Sequence, residues 1–108
     1  MSAPPATLSD RLKIIQYDYD KVFDAVKMTL FDLGYNIKIL KKDEGYIEAL
    51  TRYSTFAGPV WKQHKILLMQ EGETTKIKVN ICIISGPIKN EGPKSFYDEF
   101  WQALQQYL

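Results

Sequence analysis

The stretch from Tyr17 to Ala49, YDYDKVFDAVKMTLFDLGYNIKILKKDEGYIEA, constrains the fold more than any other part of the chain. Val22, Val26, Leu30 and Leu33 recur at helical spacing with Phe23 beside them, while Lys21, Asp24, Lys27 and Asp32 fall largely elsewhere. Asp18 or Asp20 can cap the helix start, because a short carboxylate accepts bonds from unpaired backbone N–H groups and suits the positive end of the helix dipole. Gly34 can take the left-handed conformation that ends a helix, with Tyr35 folding back on the last turn. The period then changes to two. In a strand from Asn36 to Lys42, Ile37 and Ile39 share one face and Lys38 and Leu40 the other. The Asp43-Glu44-Gly45 turn reverses the chain into a further strand, from Tyr46 to about Tyr53. A helix feeding directly into a β-hairpin is therefore the centre of the fold.

The flanks extend this pattern. Leu12 to Tyr17 is short, β-branched and alternating, and predicts a first strand. Ser54 to Gln63 contains Gly58-Pro59 and predicts a loop, followed by a fourth strand from His64 to Gln70 and a turn at Glu71 to Thr74. The fifth strand, Thr75 to Ile84, alternates most clearly, with Ile77, Val79, Ile81 and Ile83 opposed to Lys76, Lys78, Asn80 and Cys82. Ser85 to Lys94 is Gly/Pro-rich and predicts a loop. Pro93 suits the first turn of a closing helix from Ser95 to Leu108, where Phe96, Phe100, Ala103, Leu104 and Tyr107 form a stripe that Tyr97 and Trp101 widen. The order β-α-β-β-β-β-α predicts an α+β fold, a mostly antiparallel five-stranded sheet with two helices packed on one face. Residues 12–108 form a single domain in this reading. Residues 1–11, small and Pro-rich without periodicity, are expected to be a disordered lead-in.

Composition decides which functions are out of reach. With 108 residues and 45% apolar content, the chain can bury a core without disulfides or metals. A net charge of +1 supplies no global field to hold nucleic acid. No apolar run approaches the roughly 18–20 residues that span a bilayer. The single cysteine, Cys82, cannot form an internal disulfide and lies mid-strand with no cationic neighbour in sequence. His64 is the only histidine, so one His and one Cys fall short of a zinc set, and a nucleophile pair would need Cys82 or a serine brought beside His64 in space. Asp18, Asp20 and Asp24 read as a helix cap and solvated first turn rather than a cation site. Gly58, Gly86 and Gly92 are each followed by Pro and make no phosphate-cradling spacing. The expectation is a protein without catalytic residues, metal or cofactor.

Two binding surfaces are expected instead. If Ile37, Ile39 and the Ile77 to Ile83 series face the helices, strand alternation sends Lys38, Lys76 and Lys78 to the open side of the sheet. Leu40 and Tyr46 are the apolar candidates beside them, since lysines alone attract weakly and lose that attraction in salt. Lys38, Leu40, Tyr46, Lys76 and Lys78 are thus the candidate partner surface, for another protein or an anionic surface. The alternative is a cleft for a small apolar ligand between the last helix and the sheet, lined by Phe96, Phe100, Trp101 and Tyr107. Oligomeric state is left open.

The run VFDAVKMTLFDLGYNIKILKKDEGYIEA also resembles the recurrent unit of small bacterial cell-envelope lipoprotein domains. In these a helix ends in Leu-Gly-Tyr, a strand follows, then an Asp-x-x-Gly turn and a strand entering with Ile. Leu33-Gly34-Tyr35, Asp43 with Gly45, and Ile47 fill those places, with a turn one residue shorter, and FYDEFWQALQQYL is similar to the closing helix. The helix-grip domain of the C component of the outer-membrane β-barrel assembly machinery is the characterised comparison, over most of the chain from about Leu12. The lipobox cysteine of that family is absent. The resemblance implies a helix-grip-like fold and a non-enzymatic scaffold or interaction role on the periplasmic side of the cell envelope, with a lipid anchor in a precursor. A cytoplasmic location is the alternative.

Overall fold

The computed structural model describes residues 4–108. A short helix α1 (Leu8–Arg11) leads into strand β1 (Leu12–Ile15), and helix α2 (Tyr19–Asp32) follows. Strands β2 (Asn36–Lys41), β3 (Tyr46–Thr55), β4 (Gly58–Glu71), β5 (Thr74–Ser85) and β6 (Ile88–Glu91) come next, and α3 (Lys94–Gln105) closes the chain. The fold is α+β. All strand pairs are antiparallel in one open sheet ordered β1-β5-β4-β3-β2, with β6 also on β5. Strands β2 to β5 form a meander, and α2 carries the chain across the sheet from the β1 edge to the β2 edge.

Local chemistry explains the central unit. The Asp18 carboxylate caps α2 by accepting a 3.1 Å bond from the Lys21 amide. At the other end Gly34 adopts φ 81°, and the Tyr35 amide donates back to Leu30 O at 2.9 Å. Between β2 and β3 the chain makes one 3₁₀ turn, Lys42–Glu44, and leaves it through Gly45 at φ 67°. Gly45 is required twice over, because a Cβ there would lie 2.1 Å from Leu68 O.

Both long helices lie on one face of the sheet. Val22, Val26 and Leu30 of α2 and Phe100 and Leu104 of α3 pack on Ile47, Ile66, Ile77, Val79 and Ile81, all without accessible surface. At roughly 25 cal/mol per Å² of apolar surface, this burial is the main favourable term of folding. Val79 is enclosed together with Ile77 and Ile81, as the alternation of β5 requires, and Lys78 is exposed.

Four expectations are corrected. The stretch read as a loop from Ser54 to Gln63 is the end of a long hairpin, with Thr55 facing Gly58 across Phe56-Ala57. Pro59 is tolerated because β4 has a single neighbour there, β5 joining only at Trp61. The Gly/Pro-rich stretch after Ser85 holds a sixth strand, since Gly86 at φ 58° turns the chain tightly and β6 pairs with Cys82 to Ser85. Of the lead-in expected to be disordered over residues 1–11, residues 1–3 lie outside the described residues, and the rest is tied down. Thr7 and Asp10 form a capping box at α1, and Lys94 N donates to Pro4 O at 3.0 Å. Arg11 pairs with Glu91 at 2.9 Å, and the Trp101 indole donates to Asp10 O. Finally, a bulge interrupts β2 between Ile37 and Ile39. Ile37 still faces Ala49 on the helix side, but beyond the bulge Leu40 faces Ile47 and Ile39 faces Glu48. The simple alternation expected for β2 therefore inverts halfway along it.

Candidate functional site

The open face of the sheet is set by register. Lys76 faces Met69 and Ile14, and Lys78 faces Leu67 and Leu12, across three strands. Leu67 in turn faces Tyr46 on β3, and Tyr46 faces Lys41 on β2. These side chains stand on the side away from both helices. Ile14, Leu67 and Met69 are 55%, 47% and 61% exposed, which makes this an apolar surface in water rather than a satellite core. A shallow cavity of about 160 Å³ lies among Leu12, Leu67, Met69, Lys76 and Lys78, with the two lysines over aliphatic walls. Lys76 is held 3.8 Å from Glu71, whereas Lys78 has no ion-pair partner among the described residues. Beside Tyr46, Glu48 is already engaged, accepting from Gln63 at 2.8 Å and from the Tyr46 hydroxyl at 3.2 Å.

The residues expected to form a partner surface divide accordingly. Tyr46, Lys76 and Lys78 come together on the open face. Leu40 does not join them, because the β2 bulge turns it to the helix side, where it is 46% exposed at the sheet edge. Lys38 is the residue that the bulge leaves without a cross-strand partner. The apolar members that were missed are Leu12, Ile14, Leu67 and Met69. Leu67 and Met69 sit in the unbroken run Ile66 to Met69, where period two cannot be seen because both faces carry apolar residues.

The aromatic residues of α3 are placed differently from one another. Phe100 is fully buried, 5.1 Å from the Trp101 ring and 5.7 Å from His64. Trp101 is buried at its contact with α1, with Lys13 Nζ 5.4 Å over the ring, and Tyr107 is half-buried. Phe96 alone of the four lines a cleft of about 270 Å³, together with Leu33, Tyr35, Thr51, Arg52, Tyr53, Lys62 and Glu99. That cleft lies on the helix side, between α3, the end of α2 and the β3–β4 hairpin. Its lining is mixed rather than apolar.

Ionisable groups cluster near this cleft. Lys62 is buried, with its Nζ 3.3 Å from Glu99 Oε1 and 4.0 Å over the Phe96 ring. Tyr35 is buried with its hydroxyl unpartnered, and burial pushes that phenol far above its usual range. His64, behind Tyr35 at 4.4 Å edge-on, is lowered to about 3 by burial, with Lys62 adding to the effect, so its ring is neutral. Cys82 lies on the open face opposite Gln63, away from His64, which faces Ile81 on the helix side. The pair that nucleophilic chemistry would need is thus separated by the sheet.

A broader surface depression of about 480 Å³ lies between the start of α2 and the 3₁₀ turn. On its charged rim Lys42 pairs with Asp20 at 3.3 Å, and the Tyr19 hydroxyl donates to Lys42 O. Among the described residues no group of three or more His, Cys, Asp or Glu could hold a metal ion. No helix among them is long and apolar enough to cross a membrane. Compared with protein-family models the chain matches none, and no curated protein matches it.

Proposed function

We propose that this protein is a non-enzymatic interaction domain that docks another protein on its open sheet face. The observation that carries this reading is the exposed apolar patch of Ile14, Leu67 and Met69 with Lys76 and Lys78 set into it. Exposed apolar surface is costly in water and is the property that a partner would cover. The two lysines define the partner's chemistry as an apolar segment that carries carboxylates, such as an amphipathic helix with an acidic border. A second copy meeting through the same patch would set lysine against lysine, which disfavours self-association.

A photo-reactive residue at Leu67, introduced in the full chain in its native host, tests the reading. A discrete adduct to another protein is expected, absent from a Lys76→Glu/Lys78→Glu variant and absent when the probe is moved to Asp24 on α2. No adduct, the same adducts from Asp24, or adducts only to itself or to lipid would overturn it. The placement of this domain in the cell envelope rests on the similarity of the Leu33-Gly34-Tyr35 unit to the envelope lipoprotein domains. Fractionation of the chromosomally encoded protein tests that part. Recovery from the cytosol with an unprocessed N-terminus would remove it.

A further inference from the structure

We infer that the docking face has a second anchor at Trp61, and that its partner is a single acidic amphipathic helix lying along β4 from Trp61 to Leu67. This inference rests on the docking reading above and adds the partner's secondary structure, axis and length.

Register places the second anchor. Arg52 faces Trp61, Trp61 faces Ile84, and Ile84 faces Lys89, in one row across four strands. Residues directly opposed in an antiparallel pair share a face. Lys62, next to Trp61 on β4, is buried on the helix side, so this row stands on the open face with Leu67 and Met69. Trp61 is 42% exposed, and Ile84 beside it is half-buried. An indole is a large apolar body, and an exposed one on a sheet face is the kind of side chain that anchors an interface. The face therefore has an apolar focus at each end, each flanked by two cations: Trp61 with Arg52 and Lys89, and Leu67 with Lys76 and Lys78.

Charge selects an acidic partner. Arg52, Lys65, Lys76, Lys78 and Lys89 all stand on this face by the same alternation, and only Lys76 is in an ion pair among the described residues. Nearby carboxylates are committed elsewhere. Glu48, across from Lys65, accepts from Gln63 and Tyr46, and Glu91 holds Arg11 at the sheet edge. A face with this excess of positive charge attracts an acidic segment and repels a basic one.

Dimensions select a helix. At about 3.3 Å per residue, the six residues from Trp61 to Leu67 span about 20 Å. A helix covers that length in about 13 residues, nearly four turns. Arg52 on β3 and Lys89 on β6 are separated by β4 and β5, three strand spacings or about 14 Å. That interval brackets a helix of about 10–12 Å diameter with carboxylates on both borders. An extended segment fits poorly, because it binds by pairing its backbone with a free sheet edge, and β4 lies between β3 and β5 along this stretch.

Photo-crosslinking of the full chain in its native host, from Leu67 and separately from Trp61, tests this. An aromatic photo-reactive residue at Trp61 keeps the bulk of the anchor. Both positions are expected to capture the same protein, and peptide mapping should place the two attachment points about 10–16 residues apart in one acidic segment. Arg52→Glu/Lys89→Glu should cut the yield of the Leu67 adduct at least about five-fold, with the melting temperature of the chain nearly unchanged. Capture from Leu67 alone would leave the docking reading standing and overturn this inference, whereas capture from neither position would overturn both. Attachment points fewer than about eight residues apart or on separate segments would overturn the helix, as would a Leu67 adduct indifferent to the double reversal in a folded variant.

Discussion

The backbone amide of Ile81 donates a 2.9 Å hydrogen bond to the hydroxyl of Tyr97, a side chain of α3. The reason lies in the sheet edge. Strand β1 pairs with β5 from Thr75 to Lys78 and β6 pairs with it from Cys82 to Ser85, which leaves a gap between them. At that gap Gly92 N donates to Ile81 O at 2.7 Å and Tyr97 accepts from Ile81 N, so both polar groups of a fully buried residue are satisfied without a neighbouring strand. Tyr97 in turn donates to Glu91, which holds Arg11 at 2.9 Å, so one hydroxyl links α3, β5, β6 and α1.

Tyr97→Phe should therefore destabilise the protein by about 1–3 kcal/mol, because it strands a buried amide donor and frees Glu91. Urea unfolding of the two proteins measures it. A change below about 0.5 kcal/mol would show that the gap is closed by other means.

The alkaline limb of stability follows from the same residue. Burial, with the hydrogen bond to Glu91 next, pushes the Tyr97 phenol up to about 12, against an ordinary value of 10.0. Tyr35 is raised further by burial. The folded state then holds these protons more tightly than the unfolded state. Their contribution is complete below pH 10 and is lost as pH rises through about 12. Unfolding free energy should fall above pH 10, and Tyr97→Phe should fall less steeply.

The acid limb has a different source. His64 is lowered to about 3 from 6.5, chiefly by burial, so the unfolded chain binds its proton first. The His64 contribution should be level above pH 7 and decline as pH drops from 6.5 toward 3, by an amount on the order of 5 kcal/mol at the limit. His64→Leu keeps the volume and removes the titration. Between pH 6.5 and 5, before most carboxylates titrate, the wild type should lose stability and this variant should not.

Neighbouring residues on β4 separate core from surface. Ile66 has no accessible surface, whereas Leu67 is 47% exposed. Ile66→Ala should cost about 2–5 kcal/mol through the cavity it leaves. Leu67→Ser should stay within about 0.5 kcal/mol. Thermal or urea unfolding reads both, and the second variant is then a clean probe of docking.

Gly45→Ala should be among the most damaging single-atom additions. The site combines φ 67° with a backbone oxygen 2.1 Å from the new Cβ. Relief requires the 3₁₀ turn and β4 to separate, which breaks the 2.7 Å bond from Leu68 N to Gly45 O. A loss of at least about 2 kcal/mol is expected from strain and the broken bond together.

What the sequence determined by itself was short-range. The Asp18 cap, the Val22-Val26-Leu30 stripe, the Gly34 stop and the Gly45 turn each involve residues within a few positions of one another, and each stands where the pattern placed it. The β5 alternation was legible for the same reason. Tertiary structure decided what depends on partners far along the chain. Gly58-Pro59 and Gly86-Pro87 read as loops because Gly and Pro are poor strand formers, yet pairing with β3 and β5 extends both stretches. The β2 bulge carries no signal in NIKILK, and it moved Leu40 away from the open face. The lead-in was held by Pro93, Lys94, Glu91 and Trp101, at least 80 residues away in sequence. Lys62 fell within an expected loop, and its burial against Phe96, Glu99 and Tyr35 depends on the meeting of β4 with distant elements, which local periodicity cannot express.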